Sequence, residues 1–237
     1  MRASEHRTYW INAFADRVEE KLSIPDLKAW AGDADLRSAI SNAFVTIERL
    51  RDPATTDRVY ATIKEILAQA PEETWNLEYE DYPREPWNVC YTEYAVFAWG
   101  THDKQQLPVG FTIFSIADMD AVDAVDNGRS PPSSLLENIG IHHELIFVRP
   151  PYRSRGFGRY LSVGVIEWLA RCRVRSPFCA ENGVNVSYHA DFDSMGGAIC
   201  AEIITDWFSV QSDLRRDCSD IKRLPWLLAS FTEDTGF

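Results

Sequence analysis

Residues 145–161 read LIFVRPPYRSRGFGRYL, an apolar run that stops at Pro150 and Pro151 and gives way, past a cluster of arginines and glycines, to a helix-forming stretch. The prolines end a strand's hydrogen-bonding ladder, and Gly156 and Gly158 remove side chains where the backbone must turn sharply. Successive N–H groups at the helix start can then point at one spot, which becomes an anion site. The helix dipole adds about 0.3 to 1 kcal/mol per well-placed negative charge, and Arg153, Arg155 and Arg159 add forked, permanently charged donors. A pyrophosphate fits such a turn. Between Arg149 and Arg175 seven arginines stand against a single Glu167, in a chain whose formal net charge is −12. A basic island inside an acidic protein suggests a bound polyanion of limited size, whereas the overall balance weighs against nucleic acid or an anionic membrane as the main partner.

Two glycines after a strand are common, but the whole string is more specific. It resembles the acyl-CoA-binding signature of the GNAT superfamily of N-acyltransferases, written Q/R-x-x-G-x-G/A and matched by Arg153, Ser154, Arg155, Gly156, Phe157 and Gly158. The preceding Val148, Arg149, Pro150, Pro151 and Tyr152, and the triplet Val109-Gly110-Phe111, fit the same resemblance, which covers roughly residues 75–210. It implies an α/β (α+β) fold, with a mixed central sheet flanked by helices and with the fourth and fifth strands splayed apart. The pantetheine arm of acetyl-CoA would lie between them, hydrogen-bonded by the backbone of Phe147, Val148 and Arg149, with Ser194 in place of the family's asparagine. The implied activity is transfer of an acetyl or other acyl group from acetyl-CoA to a primary amine, by direct attack in a ternary complex. A reading of a different class is a GNAT-fold sensor or scaffold that holds acyl-CoA without transferring it.

A protonated amine cannot attack a thioester, so transfer needs a proton acceptor, and a donor to the departing thiolate can help. The run IHHELIFV supplies the acceptors. Strict strand alternation places His142, Glu144 and Ile146 on one face and His143, Leu145 and Phe147 on the other. Either Glu144 or His142 can serve as base, since an imidazole titrates near pH 6.5 and burial can raise a carboxylate towards it. His143 reads as a structural histidine. The family's acid, a tyrosine on the helix after the fifth strand, falls here on Cys200 or Ala201, which leaves Cys200 or Tyr188 as candidates. No metal site is indicated.

The elements that must position these groups divide the chain at about residue 72. Tyr9, Trp10, Ala13, Phe14, Val18 and Leu22 recur at helical steps, as do Leu36, Ile40, Phe44, Ile47 and Leu50 behind Asp35, and Val59, Ile63, Ile66 and Leu67 behind Thr55 or Thr56. Residues 1–72 are thus expected to form a helical extension of the acyltransferase domain, 73–237. From Thr74 period-two patterns predict strands near Trp75–Tyr79, Cys90–Trp99, Val109–Ile116, 141–148 and 184–189, with helices over 157–172 and 194–208. Residues 118–138 read as a long loop with at most one helical turn, and the last thirty residues give no clear pattern.

Five cysteines without a close pair indicate neither a disulfide framework nor a zinc site, and no run reaches the 18 or so apolar residues of a membrane span. A cytoplasmic location is expected. Carboxylates gather at Glu78, Glu80, Asp81 and Glu85, at Asp118, Asp120, Asp123 and Asp126, and at Asp191 and Asp193, so the amine acceptor is expected to be cationic. The N-terminal helices offer a surface for a homodimer or another partner.

Overall fold

The period-two stretches pair edge to edge into one sheet. The computed structural model describes residues 19–22, 43–50, 53–68, 91–102, 105–130, 137–175, 184–192, 195–217 and 226–235. Its strands are β1 (Glu19–Leu22), β2 (Phe44–Leu50), β3 (Tyr91–His102), β4 (Gln105–Asp118), β5 (Asn138–Val148), β6 (Val184–Phe192) and β7 (Trp226–Thr235), and they lie in that order. β1 to β5 run antiparallel to their neighbours, whereas β5, β6 and β7 run parallel. Parallel neighbours need a crossover between them. α3 (Phe157–Arg175) and α4 (Met195–Asp217) supply the two crossovers, while α1 (Pro53–Leu67) and α2 (Met119–Asp126) follow β2 and β4.

Helices cover both faces, which makes the architecture mixed α/β. One face carries Val45, Ile47, Tyr94, Val96, Phe114, Ile141, Val186 and Tyr188 and packs on Tyr160, Leu161, Trp168 and Leu169 of α3 and Ile204 and Phe208 of α4. The opposite face carries Leu50, Ala95, Phe97, Phe111 and Ile113 and packs on Val59, Ile63, Ile66 and Leu67 of α1. Each of those four α1 side chains contributes about 1.5 to 3 kcal/mol by leaving water, enough to hold a 15-residue helix in place.

The first seventy residues depart from the helical expectation. Phe44, Ile47 and Leu50 belong to a strand paired along its whole length with β3, and Glu19–Leu22 to another strand paired with β2. The segment FVTIERL satisfies two periods at once. Phe44, Ile47 and Leu50 sit at helical steps, but Val45 and Ile47 alternate with half-buried Phe44, Thr46 and Glu48, and the adjacent β-branched Val45, Thr46 and Ile47 favour the pleat. Pairing partners decide the matter: Trp99 of β3 stacks on Phe44 with ring centroids 5.8 Å apart and donates its indole N–H to Thr46 Oγ1 at 2.8 Å. The helix over 53–67 stands as expected, and it lies with β1 and β2 on the same sheet as the strands after residue 73. The helical stripes at 9–18 and 35–42 and the strand at 75–79 lie outside the described residues.

Elsewhere the corrections are smaller. Residues 119–126 form a helix longer than one turn, started by Asp118, whose carboxylate accepts the Ala121 N–H at 3.1 Å. The C-terminal stretch contributes β7, which lies beside β6. Gly110 sets the spacing of β4 and β5, since a Cβ there would stand 2.7 Å from the Phe147 carbonyl oxygen and 3.2 Å from Val148 Cγ2. The carbonyl and the Val148 Cα, at 3.3 Å, are backbone of the paired strand and cannot swing aside. Gly110→Ala is expected to destabilise the fold by about 1 to 3 kcal/mol, read as a lower urea midpoint with an unchanged slope. An unchanged midpoint would mean that the two strands separate at no cost.

Candidate functional site

β5 is the strand on which the sequence places most of its chemistry, and two irregularities shape it. The first is a one-residue bulge: Phe114 of β4 faces His143 and Ile113 faces Leu145, so Glu144 is the extra residue in the register of β5. This corrects the strict alternation expected from sequence. Leu145 and Phe147 pack with the α1-side cluster, whereas Ile146 and Val148 pack with the α3 and α4 side, the side on which His143 meets Tyr188. The second irregularity is a parting of strands. β5 and β6 pair from Asn138 and Asn185 to His143 and Ala190, yet β5 runs on to Val148 and β6 to Phe192.

Across the parting, β4 keeps its hold on β5. The Arg149 N–H donates to the Val109 carbonyl at 2.9 Å, and Thr112 Oγ1 donates to the Leu145 carbonyl at 2.7 Å. Since backbone groups alternate sides along a strand, the N–H and C=O of Ile146 and the N–H of Val148 face away from β4, towards the gap. Arg153 covers one more group, donating from Nε to the Val148 carbonyl at 2.9 Å while its guanidinium lies 5.4 Å from the Phe147 ring centroid.

The turn beyond Val148 is built as its residue types require. Pro150–Tyr152 forms a single 3-10 turn, and then Ser154 and Gly156 both take left-handed backbone conformations, φ 58° and 85°. For serine this conformation is uncommon, and alternating it with ordinary residues curls successive N–H groups into a concave nest suited to anions. The Gly156 carbonyl accepts the Tyr160 N–H at 3.0 Å, which begins α3. Arg153, Arg155 and Arg159 are exposed around this nest, Arg155 resting 5.8 Å from the Tyr152 ring. Phe157 is buried and packs edge-on against Tyr152 and Tyr160. Gly158 has a packing role: a Cβ there would stand 3.0 Å from Cys200 Sγ. Arg149 lies apart from the nest, only 2% exposed, with its guanidinium 3.1 Å from Glu65 of α1.

The two histidines of β5 divide by face. His143 is fully buried, and burial, reinforced by neighbouring His142, lowers its imidazole to about pH 3, so it is neutral throughout the physiological range. Its Nδ1 lies 2.8 Å from the Tyr188 hydroxyl and its Nε2 against Thr112 Oγ1. His142 is half exposed, 3.9 Å from Glu144 through Nδ1 and Oε1, and its ring lies 4.8 Å from that of its register partner His189 of β6, tilted by 42°.

The same row holds a group that the motifs did not indicate. Glu93 of β3 faces Ser115 of β4, which faces His142 of β5, so all three project from one side of the sheet. Burial first, and the Glu144 charge second, push the Glu93 carboxyl up to about 7. The signal available in sequence was phase, since Glu93 shares the parity of the buried residues Ala95 and Phe97.

Both acid candidates lie inside. Tyr188 is 1% exposed and engaged with His143, and Cys200 is 5% exposed, with burial pushing its thiol up. Among the acidic loops, Asp118 caps α2 and Asp120 accepts from Asn138 Nδ2 at 2.7 Å, while Asp123 and Asp126 are exposed. Ser194, Glu78, Glu80, Asp81, Glu85 and Asp193 and the side chain of Asp191 lie outside the described residues. Among the described residues no group of three or more His, Cys, Asp or Glu could hold a metal ion, and no helix is long and apolar enough to cross a membrane. No model of a known protein family matches the chain, and no curated protein matches its sequence.

The Glu93 carboxyl gives the fold a pH dependence of definite sign. Its pKa rises from 4.5 to about 7 on folding, so its contribution to stability is fully present below about pH 4.5 and is lost as pH rises through 7. Glu93→Gln removes that loss. The gain in thermal midpoint over wild type is expected to be larger at pH 8 than at pH 5, and equal gains at both would show that Glu93 titrates normally.

Proposed function

We propose that the chain is an acyl-CoA-dependent N-acyltransferase of the GNAT type, moving an acetyl group from acetyl-CoA to a primary, cationic amine. The observation that carries this reading is the parting of β5 and β6 after His143 and Ala190, immediately before the nest at residues 153–156. A flexible amide-bearing arm ending in a pyrophosphate matches both features. The Ile146 and Val148 backbone groups turned to the gap suit the arm, and the nest with Arg153, Arg155 and Arg159 suits the phosphates. The resemblance of residues 148–158 to the GNAT signature points the same way.

Acetyl-CoA supplies an acyl group already activated as a thioester. The chain's own residues then have to deprotonate the amine and hold it. Glu144 and His142 border the gap on β5, and Glu93 adds a carboxyl that titrates near neutrality. A group poised near the working pH is the most effective proton acceptor, because it is both ionised and basic enough. The same carboxylates favour a cationic acceptor. Tyr188 and Cys200 are buried, so the reading assigns the leaving thiolate no dedicated acid. A thiolate of ordinary pKa, near 8.5, can depart without one.

Calorimetry should show CoA and acetyl-CoA binding, weakened at least tenfold by Arg153→Glu combined with Arg155→Glu, since reversed charges would then face the phosphates. The proposal fails if the intact protein binds neither. In turnover assays with amine pools, Glu144→Gln or His142→Ala should lower kcat roughly 10²-fold with CoA affinity nearly unchanged. Full activity in both would remove β5 from the proton path and leave Glu93 as the acceptor to examine by Glu93→Gln.

A further inference from the structure

The hydrogens of the buried chain at His143 can be placed by counting donors. Thr112 Oγ1 lies 2.7 Å from the Leu145 carbonyl oxygen, which can only accept, so the single hydroxyl hydrogen goes there. Thr112 Oγ1 is also against His143 Nε2, and having spent its hydrogen it must accept from that nitrogen. His143 therefore carries its proton on Nε2. Because the ring is neutral, Nδ1 bears a lone pair and accepts from the Tyr188 hydroxyl at 2.8 Å. All donors point the same way: Tyr188 to His143, His143 to Thr112, Thr112 to the carbonyl of Leu145.

This one-way chain joins β6, β5 and β4 at a particular place. His143 and Ala190 form the last pair before β5 and β6 part, and Leu145 is the first residue after the bulge at Glu144. The chain ends on a carbonyl, so it cannot pass a proton onward. Its members straddle Glu144, two on its own strand and one on each neighbour.

We propose that the Tyr188–His143–Thr112–Leu145 chain locks the bulge and so fixes where the Glu144 carboxyl points, making Thr112, His143 and Tyr188 positioning residues for the transfer proposed above. This rests on that reading for its catalytic part only. Slippage of the bulge would return Glu144 to a paired position and exchange the faces of Leu145 and Phe147 with those of Ile146 and Val148. A base displaced by about 1 Å can lose roughly 10²-fold in rate.

Thr112→Val and Thr112→Ser separate the hydroxyl from the shape of the side chain, and Tyr188→Phe removes the first donor alone. Imidazole nitrogen shifts of the ligand-free protein should show His143 protonated on Nε2 in the wild type and in Thr112→Ser, with the preference lost in Thr112→Val. Backbone amides of residues 144–146 should exchange about tenfold faster in Thr112→Val and Tyr188→Phe than in wild type, and at the wild-type rate in Thr112→Ser. In turnover, Thr112→Val should lower kcat by roughly 10²-fold with the calorimetric Kd for CoA within about twofold, and Thr112→Ser should restore it. A proton on Nδ1 in the wild type, unchanged exchange in both Thr112→Val and Tyr188→Phe, or equal losses of kcat in Thr112→Val and Thr112→Ser would each overturn the proposal. Should the protein turn over no amine, the nitrogen shifts and amide exchange still decide whether the chain locks the bulge, while the transfer reading fails separately.

Discussion

One strand held on one side and released on the other governs this molecule. β4 keeps β5 in register from Ile139 to Val148, across the bulge, and extends the grip to Arg149 through Val109. β6 lets go after His143. Backbone N–H and C=O groups cost free energy when they lack partners, so a half-paired strand inside a domain demands occupants for its open side. Arg153 meets part of that demand at the Val148 carbonyl. The Ile146 and Val148 groups on that side suit water or a ligand with amides of its own. The two histidines and Tyr188 lie just before the point where β6 departs, and the nest lies just beyond it.

Sequence made some of this legible and obscured the rest for identifiable reasons. Turn residues are local in their effect, so Pro150, Pro151, Gly156 and Gly158 announced the end of β5 and the start of α3 correctly. Strands β3 to β6 were legible because alternation and β-branched content agreed there. β2 was misread because its apolar residues fit two periods, and only the partner strand, a long-range contact, selects between them. The bulge was invisible because nothing in HHEL differs from a regular strand. It arises from the match between two strands, and it reassigned the faces of every residue from Leu145 to Val148.

Burial, more than charge pairing, sets the chemistry on the two sides of β5. The same desolvation drives His143 towards its neutral form and holds a proton on Glu93 up to about pH 7, because in each case water is withdrawn from the ionised state. On the α3 side this yields an inert imidazole that serves geometry. On the other side it yields a carboxyl poised to exchange a proton, beside Glu144 and half-exposed His142. Arg149 shows how the same logic redirects a motif residue: it contributes a permanent charge, yet its burial against Glu65 makes it a tie between α1 and the end of β5.

The contact between Gly158 and Cys200 bears on how such a chain changes over generations. A Cβ at 158 would meet the sulfur at 3.0 Å, so a side chain there requires the Cys200 side chain to give by a few tenths of an ångström or to be replaced by a smaller one. One order of change is therefore the easier, with a smaller residue at 200 first and a methyl at 158 second. Whatever this turn holds, the packing of two helices is by itself a reason to keep the glycine.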